Sequence, residues 1–390
     1  MTQAFGARVS AGVAEARAAG LLRTLETRVS AQSAEIEVGG RTLVNFTSND
    51  YLGLAAHPRV VARVTSELAN HGFGAGAAAL LSGRSSLHEE LERRLVAFTG
   101  AQAGLLFSSG YLANIGALPA LIGKHDFVAH DRLNHASLID GVLASGARHR
   151  RYAHASSAAL PPLFAAHAAR DRFVVTESVF SMDGDVAPLG ELAAQAAANN
   201  AVLYVDDAHG FGVTGAGRGA AASLDMKATA APTAIIMLTF GKALGSMGAI
   251  VLASPAVIEF LVQRARTFVY DTALPPVCAA AALEALDMIV NDPAIGQRLH
   301  DNVALFKRCA AQAGLGLSPS TTPIQPVPIG DDHRAVKVAA ALVDAGFYVR
   351  AIRPPTVPRG SARLRITVRA DHTAAHIRDL VAACATLQSR

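Results

Sequence analysis

The stretch Ala201-Val202-Leu203-Tyr204-Val205-Asp206-Asp207-Ala208-His209-Gly210 turns from apolar to acidic within one residue. An apolar run this short, without alternation, reads as a strand buried on both faces, the kind found in parallel sheets covered by helices. In open α/β sheets, functional groups gather at the carboxyl ends of such strands. Taken alone, an Asp at a strand end such as Asp206 is more often a helix cap or a metal ligand than a cofactor contact.

Further along the chain, Leu238-Thr239-Phe240-Gly241-Lys242 repeats the arrangement, an apolar run ending in a lysine. An amine placed there is costly unless it is paired or covalently used. Other short apolar runs at 103–107, 126–129, 173–177, 201–205, 234–238 and 248–252 alternate with helical segments such as 87–98 and 189–199. That order predicts a mainly parallel α/β sheet. The first 35 residues read as helix, and 35–46 as a hairpin turning at Gly39-Gly40. After Leu274-Pro275-Pro276 the order becomes α+β: helix 277–290, a second helix, strand 324–329, helix 336–345, and strands 348–352 and 363–368. The expected division is an N-terminal segment 1–46, a large α/β domain 47–280 and a C-terminal α+β domain 281–390.

Half of the 390 residues are apolar and 17% charged, so a large core is available without any Trp. The three cysteines form no CxxC pair and no metal-ligand pattern, which fits a reducing cytoplasm and argues against a disulfide or metal scaffold. The net charge of +4 is mild, and its densest basic run (Arg148, Arg150, Arg151) lacks the aromatic interleaving of a nucleic-acid groove. Charged residues interrupt the N-terminus, unlike a signal peptide. Three Gly, two Pro and Lys242 break the apolar stretch 230–261, which makes it a poor membrane span.

The residues that carry chemistry are therefore an amine, Lys242, and a carboxylate, Asp206, each at the end of an apolar strand. Pyridoxal phosphate (PLP) needs this pair: an amine to bind its aldehyde and a carboxylate to keep its pyridine nitrogen protonated. Phe107-Ser108-Ser109-Gly110-Tyr111-Leu112-Ala113-Asn114 joins a strand to a helix through small residues, where free N–H groups suit a phosphate. His135, in Asp131-Arg132-Leu133-Asn134-His135-Ala136-Ser137, is either a capping histidine or one that stacks on a planar ring.

These segments resemble the α-oxoamine synthase family of PLP enzymes. The likeness extends through Ser48-Asn49-Asp50-Tyr51-Leu52-Gly53-Leu54, Val179-Phe180-Ser181-Met182-Asp183-Gly184-Asp185 and Arg353-Pro354-Pro355-Thr356-Val357-Pro358. The resemblance implies the PLP-dependent type I fold and a homodimer. It makes Lys242 the Schiff-base lysine, His135 the ring-stacking residue and Asp206 the pyridinium partner. Ser181 and His209 would contact the phenolic-oxygen side. Thr239 and the backbone of Gly110 and Tyr111 would hold the phosphate, with Thr272 reaching toward it from the partner subunit. Arg23 and Thr356 match substrate-contacting positions, and Arg365 is the candidate for the amino-acid carboxylate. The implied reaction joins L-alanine to pimeloyl-CoA or a pimeloyl-carrier protein. The alternatives are a family member taking another amino acid and acyl group, such as a glycine C-acetyltransferase, or a non-catalytic dimerisation subunit.

Two departures from the family pattern stand out. Asp271, in Phe268-Val269-Tyr270-Asp271-Thr272, occupies a position usually held by a hydroxyl residue, and an anion there would oppose a phosphate. The segment 72–83 carries Ala78, Ala79 and Leu80 where polar residues are usual, which makes an acyl channel there more apolar.

Overall fold

The computed structural model describes residues 3–224, 226 and 234–388. Residues 230–233, the start of the apolar stretch singled out above, lie outside them. The N-terminal helix is shorter than expected, Gln3–Ala18. Gly20 stops it at φ +66°, with Leu21 N–H donating to Ala16 O and Gly20 N–H to Arg17 O, the paired bonds of a left-handed helix end. Leu25, expected on that helix, is fully exposed. The hairpin forms as read, with β1 (Glu35–Val38) and β2 (Arg41–Asn45) joined by Gly39 and Gly40, both at positive φ as a tight two-residue turn requires.

The central sheet holds β3 (Ala103–Phe107), β4 (Phe127–Asp131), β5 (Arg148–Tyr152), β6 (Arg172–Glu177), β7 (Ala201–Asp206), β8 (Ala234–Thr239) and β9 (Ala249–Ala253). Their order is β3-β9-β8-β7-β6-β4-β5, and only β9 runs against the rest. The sheet is buried on both faces. Val174, Leu203, Val205 and Ile236 face one core, while Val175, Tyr204, Ile235 and Met237 face the other, which is why these strands read as unbroken apolar runs.

The reading above missed β5. Its sequence, Arg-His-Arg-Arg-Tyr, lacks an apolar pattern, and it lies at the edge of the sheet with most of its side chains exposed. Exposed cations on such an edge resist pairing with another chain.

The C-terminal part is built on β10 (Ile324–Gly330), β12 (Arg350–Ile352) and β13 (Ala362–Thr367) in the antiparallel order β10-β13-β12. The single strand expected at 348–352 is two. β11 (Phe347–Tyr348) pairs in parallel with β2, and the chain then passes the buried Val349 to enter the other sheet as β12. That pairing ties the N-terminal hairpin to the C-terminal part. Position 281 falls inside the helix Pro276–Asn291, so the chain passes it as continuous helix rather than as a linker. Among the described residues no helix is long and apolar enough to cross a membrane.

Candidate active site

Parallel pairing sets the ends of β6, β7 and β8 side by side, with Glu177 opposite Asp206 and Asp206 opposite Met237. Just beyond them is a pocket of about 160 Å³ lined by Lys242, Asp206, His135, His209, Thr239, Gly110 and Tyr111. Seven of the expected residues thus converge from four segments of the chain.

Lys242 Nζ lies 2.7 Å from His209 Nε2, and His209 Nδ1 lies 2.5 Å from the Tyr51 hydroxyl. Burial lowers the Lys242 pKa to about 8, while the charges of Asp206 and Glu177 hold it up. Burial, then the neighbouring Lys242, drives His209 well below the ordinary imidazole range, so the ring is neutral. Asp206 accepts from Asn114 Nδ2 at 2.7 Å and from Ala208 N–H at 2.9 Å. Asn114 is fully buried and is itself oriented, accepting from the Tyr204 hydroxyl at 2.9 Å and donating to Ser137 Oγ at 2.9 Å. Asp207 is turned away, bound by Ser178 Oγ and by Ala220 N–H. It shapes the loop that follows β7 rather than the pocket.

The other end of the pocket suits a phosphate. The helix Gly110–Leu121 begins there, and Ser109 Oγ caps it by accepting from Leu112 N–H. Among the described residues, the N–H groups of Gly110 and Tyr111 have no partner. A Cβ on Gly110 would come within 3.3 Å of Met237 and of Thr239 Cβ, so a side chain would intrude where the backbone and Thr239 converge. An amine, a buried carboxylate, a ring and this cradle fit PLP at each of its polar ends.

Glu177 lines the same pocket and was not anticipated. Its Oε1 accepts from His135 N–H at 2.6 Å. Burial, then the charge of Asp206, raises its pKa well above the usual carboxylate range. It ends a correctly expected strand, so the rule that pointed to Asp206 points to Glu177 as well. Burial lowers the His135 pKa, favouring a neutral ring whose Nδ1 lies 2.8 Å from Ser137 Oγ.

Ser181 and Arg365 sit beside the pocket, with Arg365 Nε donating to Ser181 O at 2.7 Å. The guanidinium also donates to Asn49 Oδ1 and Thr367 Oγ1, so a substrate carboxylate would have to displace Asn49 or share the Nη2 protons. Arg23 and Thr356 are exposed and do not line the pocket within this chain. Thr272 lies elsewhere, in a cavity of about 320 Å³ with Asp271, Ala79, Leu80 and Ser108. There Asp271 accepts from Ser108 Oγ, two residues before Gly110 of the same chain.

Residues 41–383 match the family model for aminotransferase class I and II. The chain is similar to an 8-amino-7-oxononanoate synthase of Methylococcus capsulatus, at 47% identity over 96% of this chain and 97% of that one. One from Nitrosococcus oceani is 49% identical over 90% and 93%. Among solved structures, a serine palmitoyltransferase from S. paucimobilis with PLP and myriocin bound aligns with a TM-score of 0.91 at 27% identity, covering 100% of this chain and 98% of that one. An 8-amino-7-oxononanoate synthase from Francisella tularensis aligns with a TM-score of 0.76 at 30% identity, covering 89% and 98%.

Proposed function

The chain belongs to the aminotransferase class I and II family, and from that membership we propose that it condenses L-alanine with a pimeloyl thioester. The products are 8-amino-7-oxononanoate, CO2 and the free thiol carrier, a step of biotin biosynthesis. One observation carries this reading: near-full-length identity to enzymes of that name, in a chain whose Lys242, His135 and Asp206 line a single pocket.

The cofactor is PLP, which when bound supplies an electron-deficient ring that stores the electron pair left by removal of a proton from the amino acid. Lys242 would bind its aldehyde, and Asp206 would keep the pyridine nitrogen protonated. Gly110 N–H, Tyr111 N–H and the Thr239 hydroxyl would take the phosphate, and His135 would lie against the ring. Ser181 and His209 would flank the phenolic-oxygen side.

Lowered to about 8, the Lys242 amine is neutral often enough near pH 7 to act as nucleophile and then as base. The proton on Cα of alanine passes to Lys242 Nζ, which His209 and Tyr51 hold in place. The resulting carbon nucleophile attacks the thioester carbonyl, and His135 would steady the developing oxyanion. The thiol leaves, the β-keto acid loses CO2, and a proton returns to Cα. The carboxylate of alanine would be held by Arg365.

The reading includes a homodimer in the cytoplasm, with Arg23, Thr356 and Thr272 completing the site. Exposed Phe73, Leu80, Leu81 and Tyr270 around the segments that carry Ala79 and Thr272 support a partner surface there. Assays of alanine, glycine and serine against pimeloyl-, acetyl-, succinyl- and palmitoyl-CoA test the function. Alanine with pimeloyl-CoA should be turned over fastest; a clear preference for another pair would overturn the substrate assignment.

A further inference from the structure

Three segments of the chain, one of them leading to His135, meet at a histidine outside the pocket. Asp131 ends β4, immediately before the turn that leads to His135. His154 follows β5. Asp185 belongs to the tight loop between Val179 and Val186, which pair as an antiparallel bridge. His154 Nδ1 is 2.9 Å from Asp131 Oδ1, and its Nε2 is 2.6 Å from Asp185 Oδ2. A neutral imidazole has one N–H, so donating to both carboxylates requires the protonated ring. Burial opposes that charge, but the two carboxylates override it and hold the pKa up at about 10. Phe180 packs edge-to-face on the ring at 4.3 Å.

Each carboxylate passes the constraint onward. Asp131 accepts from Leu133 N–H at 2.8 Å, which shapes the turn toward His135, and from Ala155 N–H at 2.7 Å. Asn134 fastens the same turn to β6 by donating to Val175 O at 2.9 Å. On the other side, Asp185 O accepts from Phe180 N–H at 3.0 Å, closing the loop that carries Ser181. Ser181 O is the acceptor for Arg365 Nε. The far side of this loop is gripped by the C-terminal part, where Ser320 and Thr322 donate to Gly184 O at 2.9 and 3.0 Å.

We propose that His154 is a positioning residue for the amino-acid substrate: as a cation bridging Asp131 and Asp185, it fixes the separation between His135, which lines the pocket, and the Ser181–Arg365 pair beside it. The inference rests on reading that pocket as the amino-acid site. It deepens that reading by naming what sets the pocket's width. His154 touches neither substrate nor cofactor, so its loss should loosen amino-acid binding ahead of everything else.

The test uses the PLP-loaded enzyme with His154→Gln, which keeps one hydrogen bond and loses the charge, and Asp185→Asn, which leaves the contact to Asp131. The Kd for L-alanine is read from the cofactor's absorbance, beside KM for alanine, KM for the thioester and PLP content. Both variants should raise the alanine Kd and KM about tenfold, with thioester KM and PLP content within twofold of wild type, and the double variant should be no worse than the weaker single. An alanine Kd within twofold of wild type overturns the proposal. So does a parallel rise in thioester KM with loss of PLP, which marks general loosening. Should His154→Gln fail to fold, Asp185→Asn alone decides. Should wild type bind glycine or serine instead of alanine, the proposed substrate fails, and the same comparison is made with the amino acid it binds.

Discussion

Lys242 Nζ and His209 Nε2 are 2.7 Å apart, although the two residues belong to loops after different strands, β8 and β7. With burial depressing both pKa values, the amine is poised to shed its proton and the ring is a neutral neighbour that accepts hydrogen bonds from it. Lys242→Ala should therefore abolish turnover and leave the fold intact. Borohydride reduction followed by mass spectrometry should place the phosphopyridoxyl adduct on Lys242; finding it on Lys124 or Lys227 would refute the assignment.

Asp206→Asn should retain PLP but lose most carbanion chemistry, because an amide cannot keep the pyridine nitrogen protonated. Hydrogen bonds to charged groups are worth about 1.5–3 kcal/mol, so α-proton exchange from deuterated alanine should slow by roughly 10- to 100-fold or more. Exchange at the wild-type rate would remove Asp206 from the mechanism.

Asn114→Ala should act in the same direction and also destabilise the fold. It strips Asp206 of one donor and leaves the buried Tyr204 hydroxyl without its acceptor. An unsatisfied buried polar group costs about 1–3 kcal/mol. Denaturant unfolding of the apo-protein and the same exchange assay should both register the change. A variant as stable as wild type with normal exchange contradicts the orienting role.

The His154 cation has a thermodynamic consequence separate from catalysis. Its folded pKa, about 10, lies above the unfolded value near 6.5. Its contribution is complete below pH 6.5, shrinks as pH rises, and is gone above about 10. The stability gap between wild type and His154→Gln should narrow between pH 6.5 and 10, as measured by urea unfolding at stepped pH. A gap that stays constant over this window would mean the ring is neutral in the folded protein.

Asp271 accepts from Ser108 Oγ, two residues before Gly110. A carboxylate so near a phosphate site opposes a dianion, and Asp271→Ser should tighten PLP binding several-fold. Titration of the two apo-proteins with PLP decides this, with equal dissociation constants showing that Asp271 bears on no phosphate.

Local sequence by itself determined the buried strands of the central sheet, the hairpin at Gly39-Gly40, and the amine and carboxylate each at the end of an apolar strand. Unbroken apolar runs, left-handed glycines and the cost of burying Lys242 are all written in neighbouring residues. The edge strand β5 was not legible, because its arginines face water and read as a solvated run. Nor was the break of 348–352 into two sheets, since a strand carries no mark of the partner it will pair with. Asn114 and His154 were decided only by tertiary structure. Each is polar, and its meaning depends on which groups the parallel register and the packed loops bring within hydrogen-bond reach. Asp131, His154 and Asp185 stand 23 and 31 residues apart in the chain and meet at one imidazole ring. No local pattern encodes that meeting, because the energy that fixes it exists only once the sheet has assembled and excluded water from between the charges.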